Sequence, residues 1–279
     1  MAWKTILCEK VGNVSRIMFN RPEVRNALSR LLLEELDEAL MQAEADDETR
    51  VIVIGGNGPH FCAGHDMGSR EELEDRERRP FAPGTEGRVT RSEYLYRDAT
   101  LRWRNIKKPT IAMVRGYCIM GGLMLASACD IIIAAEDARF TDRAVRQATP
   151  HVQYNSLPWE IGVRKAKELL FTGDFIDARE AFRLGLVNRV VPLDRLEEET
   201  MELASRIALQ DPFIIRLCKE SLNETWDIMG YTQGIMSAFK SHQLASERRA
   251  TEGFSVPRKP GESVADWVAR RDQSFGDHH

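Results

Sequence analysis

Residues 110–134 read Thr-Ile-Ala-Met-Val-Arg-Gly-Tyr-Cys-Ile-Met-Gly-Gly-Leu-Met-Leu-Ala-Ser-Ala-Cys-Asp-Ile-Ile-Ile-Ala. Thr110 to Val114, entered after Lys108-Pro109, has the pattern of a buried strand, Ile119 to Cys129 that of a hydrophobic helix, and Ile131 to Ala134 that of a second buried strand. The pair Gly121-Gly122 falls where the helix begins. Free N–H groups project there, the helix field favours negative charge, and paired glycines let a ligand approach the backbone. Tight helix packing is the other reading of the same pair.

Upstream, two apolar runs, Trp3 to Glu9 and Val14 to Phe19, are separated by Gly12-Asn13, which predicts a hairpin. After Asn20-Arg21-Pro22, residues 28–45 predict an amphipathic helix with an acidic face, capped by Ser29. Val51 to Ile54 is a continuous hydrophobic run bounded by glycines, suited to a central strand. A glycine-rich bend over 55–68 follows. Residues 70–91 interleave Arg70, Arg76, Arg78, Arg79, Arg88 and Arg91 with acids and prolines, and are expected to be a mobile or poorly ordered surface segment, with coverage of a site by part of it left open. Tyr94 to Asn105 resumes helical spacing.

Downstream, a loop-rich stretch carries Asp142, His151 and Tyr154. Glu160 to Phe171 and Asp177 to Leu184 predict helices stopped by Gly173 and Gly185, and Leu186 to Val191 a strand stopped by Pro192. From about 194 the pattern is helical, ending in a helix over 263–271. The expected architecture is α/β, with an α/β core over 1–195 and a helical C-terminal region over 196–279.

The 279-residue length accommodates a sizeable core. A net charge of −4 argues against a broad nucleic-acid-binding surface, though not against one phosphorylated ligand on a local basic patch. Five cysteines lack metal-ligand spacing and suggest reduced, packed thiols in a cytoplasmic protein. No apolar run reaches membrane length. The closing His278-His279 looks like a tag remnant as much as a ligand pair.

Two glycine turns follow two buried strands: Phe61-Cys62-Ala63-Gly64-His65-Asp66 and Arg115-Gly116-Tyr117-Cys118-Ile119-Met120-Gly121-Gly122. Together with Asn20-Arg21-Pro22, Phe171-Thr172-Gly173-Asp174 and Gly185-Leu186-Val187-Asn188, they resemble the crotonase (enoyl-CoA hydratase/isomerase) superfamily over roughly residues 4–255. The resemblance implies a β-β-α superhelix and a trimer, or a hexamer of two trimers, packed through the C-terminal helices. It implies an acyl-CoA thioester as substrate and no further cofactor or metal. It places the thioester carbonyl between two backbone N–H groups, those of Ala63 and Gly121, where fixed dipoles meet enolate charge. It makes Val24, Arg25, His65, Asp66 and Met67 neighbours of the CoA moiety, with Arg25 as a phosphate fork and Lys240 of a neighbouring subunit as a lesser candidate.

Hydratases of this family use two glutamates to deliver water. Their places fall here on Met124 and Ala144, neither of which transfers a proton. Asp142, two residues before Ala144, is the first alternative acid/base, although Thr141-Asp142 is also a turn-capping pair. His151, Tyr154 and Glu160 follow it in the same divergent stretch. His65 reads more as a cofactor contact or structural group, and Trp159 as an acyl-pocket or core residue. Met124, Ala144 and Ile119-Met120 suggest a roomy apolar acyl pocket. The resulting expectation is an enoyl-CoA hydratase-like enzyme. Acyl-CoA or C–C bond hydrolysis, double-bond isomerisation on a bulky acyl group, and a non-catalytic acyl-CoA-binding protein are the alternatives.

Overall fold

Gly12-Asn13 reverses the chain, so that β1 (Ile6–Val11) pairs antiparallel with β2 (Val14–Phe19) and Val11 faces Val14. The structure is a computed structural model that describes residues 3–253, 256–273 and 275; His278 and His279 lie outside the described residues. A 3-10 turn at Pro22–Val24 leads into α1 (Arg30–Ala45), whose N-cap Ser29 accepts from the N–H of Leu32. β3 (Val51–Gly56), α2 (Arg70–Arg78), α3 (Gly84–Ser92), a π-helical turn over Glu93–Asp98 and α4 (Ala99–Arg104) follow. Then come β4 (Thr110–Val114), β5 (Tyr117–Ile119), α5 (Gly121–Ser127), β6 (Ile131–Ala135) and β7 (Arg139–Thr141). A 3-10 turn at Ala144–Gln147 precedes α6 (Leu157–Glu160), α7 (Val163–Thr172), β8 (Ile176–Asp177), α8 (Ala178–Leu184) and β9 (Arg189–Val191). The C-terminal part is helical: α9 (Leu196–Ala208), α10 (Pro212–Ile228), α11 (Tyr231–Glu252) and α12 (Val264–Gln273).

The main sheet runs β1-β2-β3-β4-β6-β9, parallel throughout except for the β1–β2 hairpin, and a smaller sheet runs β5-β7-β8. Successive side chains on a strand point to opposite faces. Ile52, Ile54, Ala112, Val114, Ile132 and Ala134 therefore enter the core that also holds α1 and α5. Val51, Val53, Ile111, Met113, Ile133 and Ala135 face the other way, onto Leu196 and Ala204 of α9. Burial on both faces explains why these strands read as uninterrupted apolar runs. It also makes α9 a layer of the sheet structure.

The structure corrects three local expectations. Residues 70–91 form two helices, because their arginines find acids on rigid neighbours. Buried Glu72 receives Arg76 at 2.7 Å and Arg91 at 3.2 Å, Arg79 bridges Asp75 and Glu34 at 2.8 Å each, and Arg88 reaches Glu247 of α11. The helix expected over 119–129 is shorter, since Met120 adopts φ 51° and ψ −108° between β5 and α5. The one expected over 160–171 is split into α6 and α7 at Gly162, whose φ is 76°. Among the described residues, no helix is long and apolar enough to cross a membrane.

Candidate active site

The glycine turns meet because β3 and β4 are neighbours and the chain continues their pairing beyond the sheet. Cys62 bridges Cys118, with the Cys62 N–H donating to the Tyr117 carbonyl at 2.9 Å and the Ile119 N–H donating back to Cys62 at 3.0 Å. The second turn lies directly on the first. A Cβ on Gly122 would meet the Cys62 carbonyl at 2.6 Å, and one on Gly64 would lie 3.4 Å from the Gly121 nitrogen. The pair permits close packing, one of its two readings, and the Gly121 N–H, the first of α5, has no acceptor among the described residues.

The loop at 20–28 closes the rim on the other side. The Leu28 N–H donates to Gly64 at 2.8 Å, the Asp66 N–H to Leu28 at 3.0 Å, and the Ala63 N–H to the Arg25 carbonyl at 3.0 Å. The last bond bears on the expected donor pair, because the Ala63 amide is already engaged by its own chain. Among the described residues, the backbone N–H groups of His65 and Gly121 have no acceptor. The parallel bridge between Leu28 and His65 is made by the Gly64 carbonyl and the Asp66 N–H, so the His65 N–H is not used in bonding the 20–28 loop.

Val24, Arg25, His65, Asp66 and Met67 come together on this rim, in different roles. Arg25 is exposed with its guanidinium 5.8 Å from the Tyr117 ring centre, and has no acidic partner among the described residues. Val24 and Met67 are half-buried. Asp66 is buried and internally committed: Oδ2 pairs with buried Arg21 at 2.9 Å, and Oδ1 accepts from Gly68 and Ser69 at 2.9 and 2.7 Å. Burial acts against its charge, but these donors together hold its carboxyl below the usual range.

The imidazole of His65 lies against Gly121. A Cβ there would sit 2.3 Å from Nδ1. Nε2 is 2.8 Å from Oε1 of Gln153, and Tyr96, on the π-helical turn, packs over the ring with centroids 4.0 Å apart. Burial pushes the imidazole down to about 3, with the hydrogen bond to Gln153 opposing and His242, Arg91 and Arg249 adding to the depression. The ring is therefore neutral at physiological pH. Neither Gln153 nor Tyr96 was singled out by sequence; a π turn and a side chain 88 positions away leave no periodic signal.

Asp142 lies close to the second turn, since the Met120 N–H beside Gly121 donates to the carbonyl of Thr141 at 2.8 Å, but its carboxylate is engaged by backbone. Asp142 is buried, its Oδ1 accepting from Ala144 at 3.0 Å and its Oδ2 from Val152 at 2.9 Å. Burial raises its pKa against these two bonds and the nearby His151. Both oxygens are thus occupied in pinning the 142–152 loop, the capping alternative rather than proton transfer. His151 Nδ1 is 2.8 Å from the Val152 carbonyl, and His242 of α11 reaches the His151 carbonyl at 2.6 Å. Tyr154 shares a 2.7 Å hydrogen bond with Tyr231. Trp159 packs on Tyr231 with centroids 5.1 Å apart, a core role. Glu160 bonds Ser127 at the far end of α5 at 3.0 Å, and burial pushes its carboxyl up to about 7 against its serine hydrogen bonds. Met124, one turn into α5, and Ala144 are both buried. Among the described residues no cluster of three or more His, Cys, Asp or Glu side chains is arranged to hold a metal ion.

Residues 9–277 match the family model for enoyl-CoA hydratase/isomerase. The crotonyl-CoA hydratase of Syntrophomonas wolfei is 35% identical over 227 residues, covering 80% of this chain and 83% of that protein. A crystal structure described as a probable enoyl-CoA hydratase from Mycobacterium thermoresistibile shares 42% identity, covers 89% of this chain and 99% of its own, and superposes with a TM-score of 0.82. An enoyl-CoA hydratase/isomerase from Xanthobacter autotrophicus Py2 shares 31% identity over 99% of this chain and 100% of its own, with a TM-score of 0.85. With this architecture and these relatives, the chain belongs to the enoyl-CoA hydratase/isomerase family, the crotonase superfamily of enzymes that transform acyl-CoA thioesters.

Proposed function

We propose that the enzyme stabilises a thioester enolate between the backbone N–H groups of His65 and Gly121, in an enoyl-CoA hydratase-like reaction. The observation that carries this reading is the pair of unclaimed amides on two turns in van der Waals contact, one opening a helix. Such donors are already oriented before charge develops, and each contributes about 3 kcal/mol to the transition state in comparable sites. Ala63 shapes the turn through its bond to Arg25. Arg25, Val24 and Met67 form the rim for the CoA moiety, with Arg25 offered to a phosphate. Asp66 acts behind them as the anchor of the turn.

The chemistry proceeds without the paired glutamates of the family's hydratases, their places being taken by Met124 and Ala144. The functional assembly is a trimer of these subunits. Phe213, Ile214, Leu217, Leu222, Ile228 and Met229 of the α10 region are exposed on the single chain, which supports a covered face there.

Incubating the purified protein with unsaturated, β-keto and alicyclic acyl-CoAs, followed by mass spectrometry, tests the reading. Gain of 18 mass units, about one water, marks hydration; an unchanged mass with altered retention marks isomerisation; loss of the acyl group marks hydrolysis. Tight thioester binding with no product from any panel member would instead establish the non-catalytic alternative.

A further inference from the structure

We propose that the His65 side chain is the general base: its Nδ1 takes the α-proton of the bound thioester while the backbone N–H of the same residue holds the enolate oxygen. This rests on the oxyanion site described above and adds the proton acceptor that Met124 and Ala144 do not provide.

Three observations converge on Nδ1. It is a buried polar atom with no hydrogen-bond partner, although the residue as a whole is partly exposed. Leaving such an atom unpaired carries a desolvation cost, so an interaction with substrate accounts for it better than a structural role. Nε2 is held by Gln153 Oε1 at 2.8 Å, which makes Nε2 the protonated nitrogen and leaves the lone pair on Nδ1. Finally, the ring is fixed between Tyr96 and the Gly121 backbone, beside the second enolate donor. The other candidates are placed differently: both oxygens of Asp142 are taken by backbone, and Glu160, whose Oε1 is also buried without a partner, is held through Oε2 by Ser127 at the opposite end of α5 from Gly121.

The step balances within the site. The Cα–H bond breaks, the proton goes to Nδ1, and the electron pair moves into the carbonyl, whose oxygen carries the charge between the two amides. The neutral ring becomes an imidazolium next to an enolate, and the proton is later returned to the acyl skeleton. The cationic form is disfavoured by burial and by His242 and Arg249 of α11 and Arg91 of α3. Tyr96 and Gln153 are the remaining polar groups against the ring. Enolate charge formed beside Nδ1 opposes that disfavour at the moment of transfer.

The test is exchange of the α-hydrogens of butanoyl-CoA in deuterium oxide, followed by mass spectrometry, with binding measured in parallel by calorimetry. His65→Phe keeps the backbone N–H and a ring for Tyr96. It is expected to exchange about 100-fold more slowly or worse, while calorimetry still detects bound butanoyl-CoA. Gln153→Glu, which favours the imidazolium, is expected to bring an acid limb into the pH–rate profile above pH 5, about where the wild type shows none. Exchange in His65→Phe at the wild-type rate overturns the assignment, as does a wild type that binds the thioester without exchange or a profile unmoved by Gln153→Glu. A wild type that does not bind the thioester overturns the oxyanion reading itself. Should His65→Phe fail to fold, the Gln153→Glu profile decides.

Discussion

Replacing Gly121 with alanine tests the contact between the two turns through one methyl group. The new Cβ would lie 2.3 Å from His65 Nδ1, 2.6 Å from Cε1 and 2.9 Å from Leu28 Cδ1. Carbon and nitrogen approach to roughly 3.4 Å or more at rest, so the ring must retreat by about 1 Å. Tyr96 lies across the ring at 4.0 Å and Gln153 holds Nε2 at 2.8 Å, so there is no free direction of retreat. Overpacking of this kind costs about 1–3 kcal/mol of stability, and displacing the His65 turn misaligns one oxyanion donor, worth roughly 100-fold to 1,000-fold in kcat. Thermal unfolding and turnover on whichever thioester the panel identifies measure the two effects separately. The expected result is a folded enzyme with a modestly lower Tm and kcat reduced about 100-fold or more. Wild-type turnover and wild-type stability together would refute the placement of His65 against Gly121.

Asp142→Asn sets an amide donor against a backbone N–H at either Ala144 or Val152, so it should lower stability by about 1–3 kcal/mol in denaturant titration while the folded fraction keeps turnover within a few-fold; a loss near 100-fold at full folding would restore Asp142 as the acid/base. Asp66→Asn leaves buried Arg21 with only the more exposed Glu71, 3.4 Å from Nε, as counter-charge and should cost up to about 3–5 kcal/mol. Because the folded carboxyl is held below its unfolded value, the stability from Asp66 is present above the unfolded pKa and lost as pH falls through the folded one; melting curves on the acid side should be flatter in the variant. Glu160 has the opposite sign: its folded value of about 7 exceeds the unfolded one, so its contribution is fully present below the unfolded value and is lost as pH rises toward and through about 7. Between pH 5 and 8, about the range of that titration, wild-type Tm should fall relative to Glu160→Gln, and parallel curves would show that the carboxyl is not buried as described.

What the sequence alone determined follows from period and punctuation. Gly12-Asn13 specified the hairpin, the runs at 51–54 and 110–114 specified strands buried on both faces, and the order of two glycine turns after two such strands indicated the superfamily. The unclaimed N–H of Gly121 was legible because helix starts leave donors unpaired wherever they occur. Residues 70–91 were not legible: composition showed the charges, but only the fold supplies Glu34 and Glu247 to pair with them.

Which amides of the first turn stay unclaimed depends on three dimensions. Those at 63 and 65 share the same composition signal, and the 20–28 loop takes that of Ala63 while that of His65 has no acceptor among the described residues. Likewise, Asp142 and His65 are equally titratable as letters. Tertiary structure gives Asp142 two backbone donors and leaves one nitrogen of His65 buried and unpaired beside Gly121. Local sequence encodes which groups are available; the packing of distant segments decides which of them remain unsatisfied.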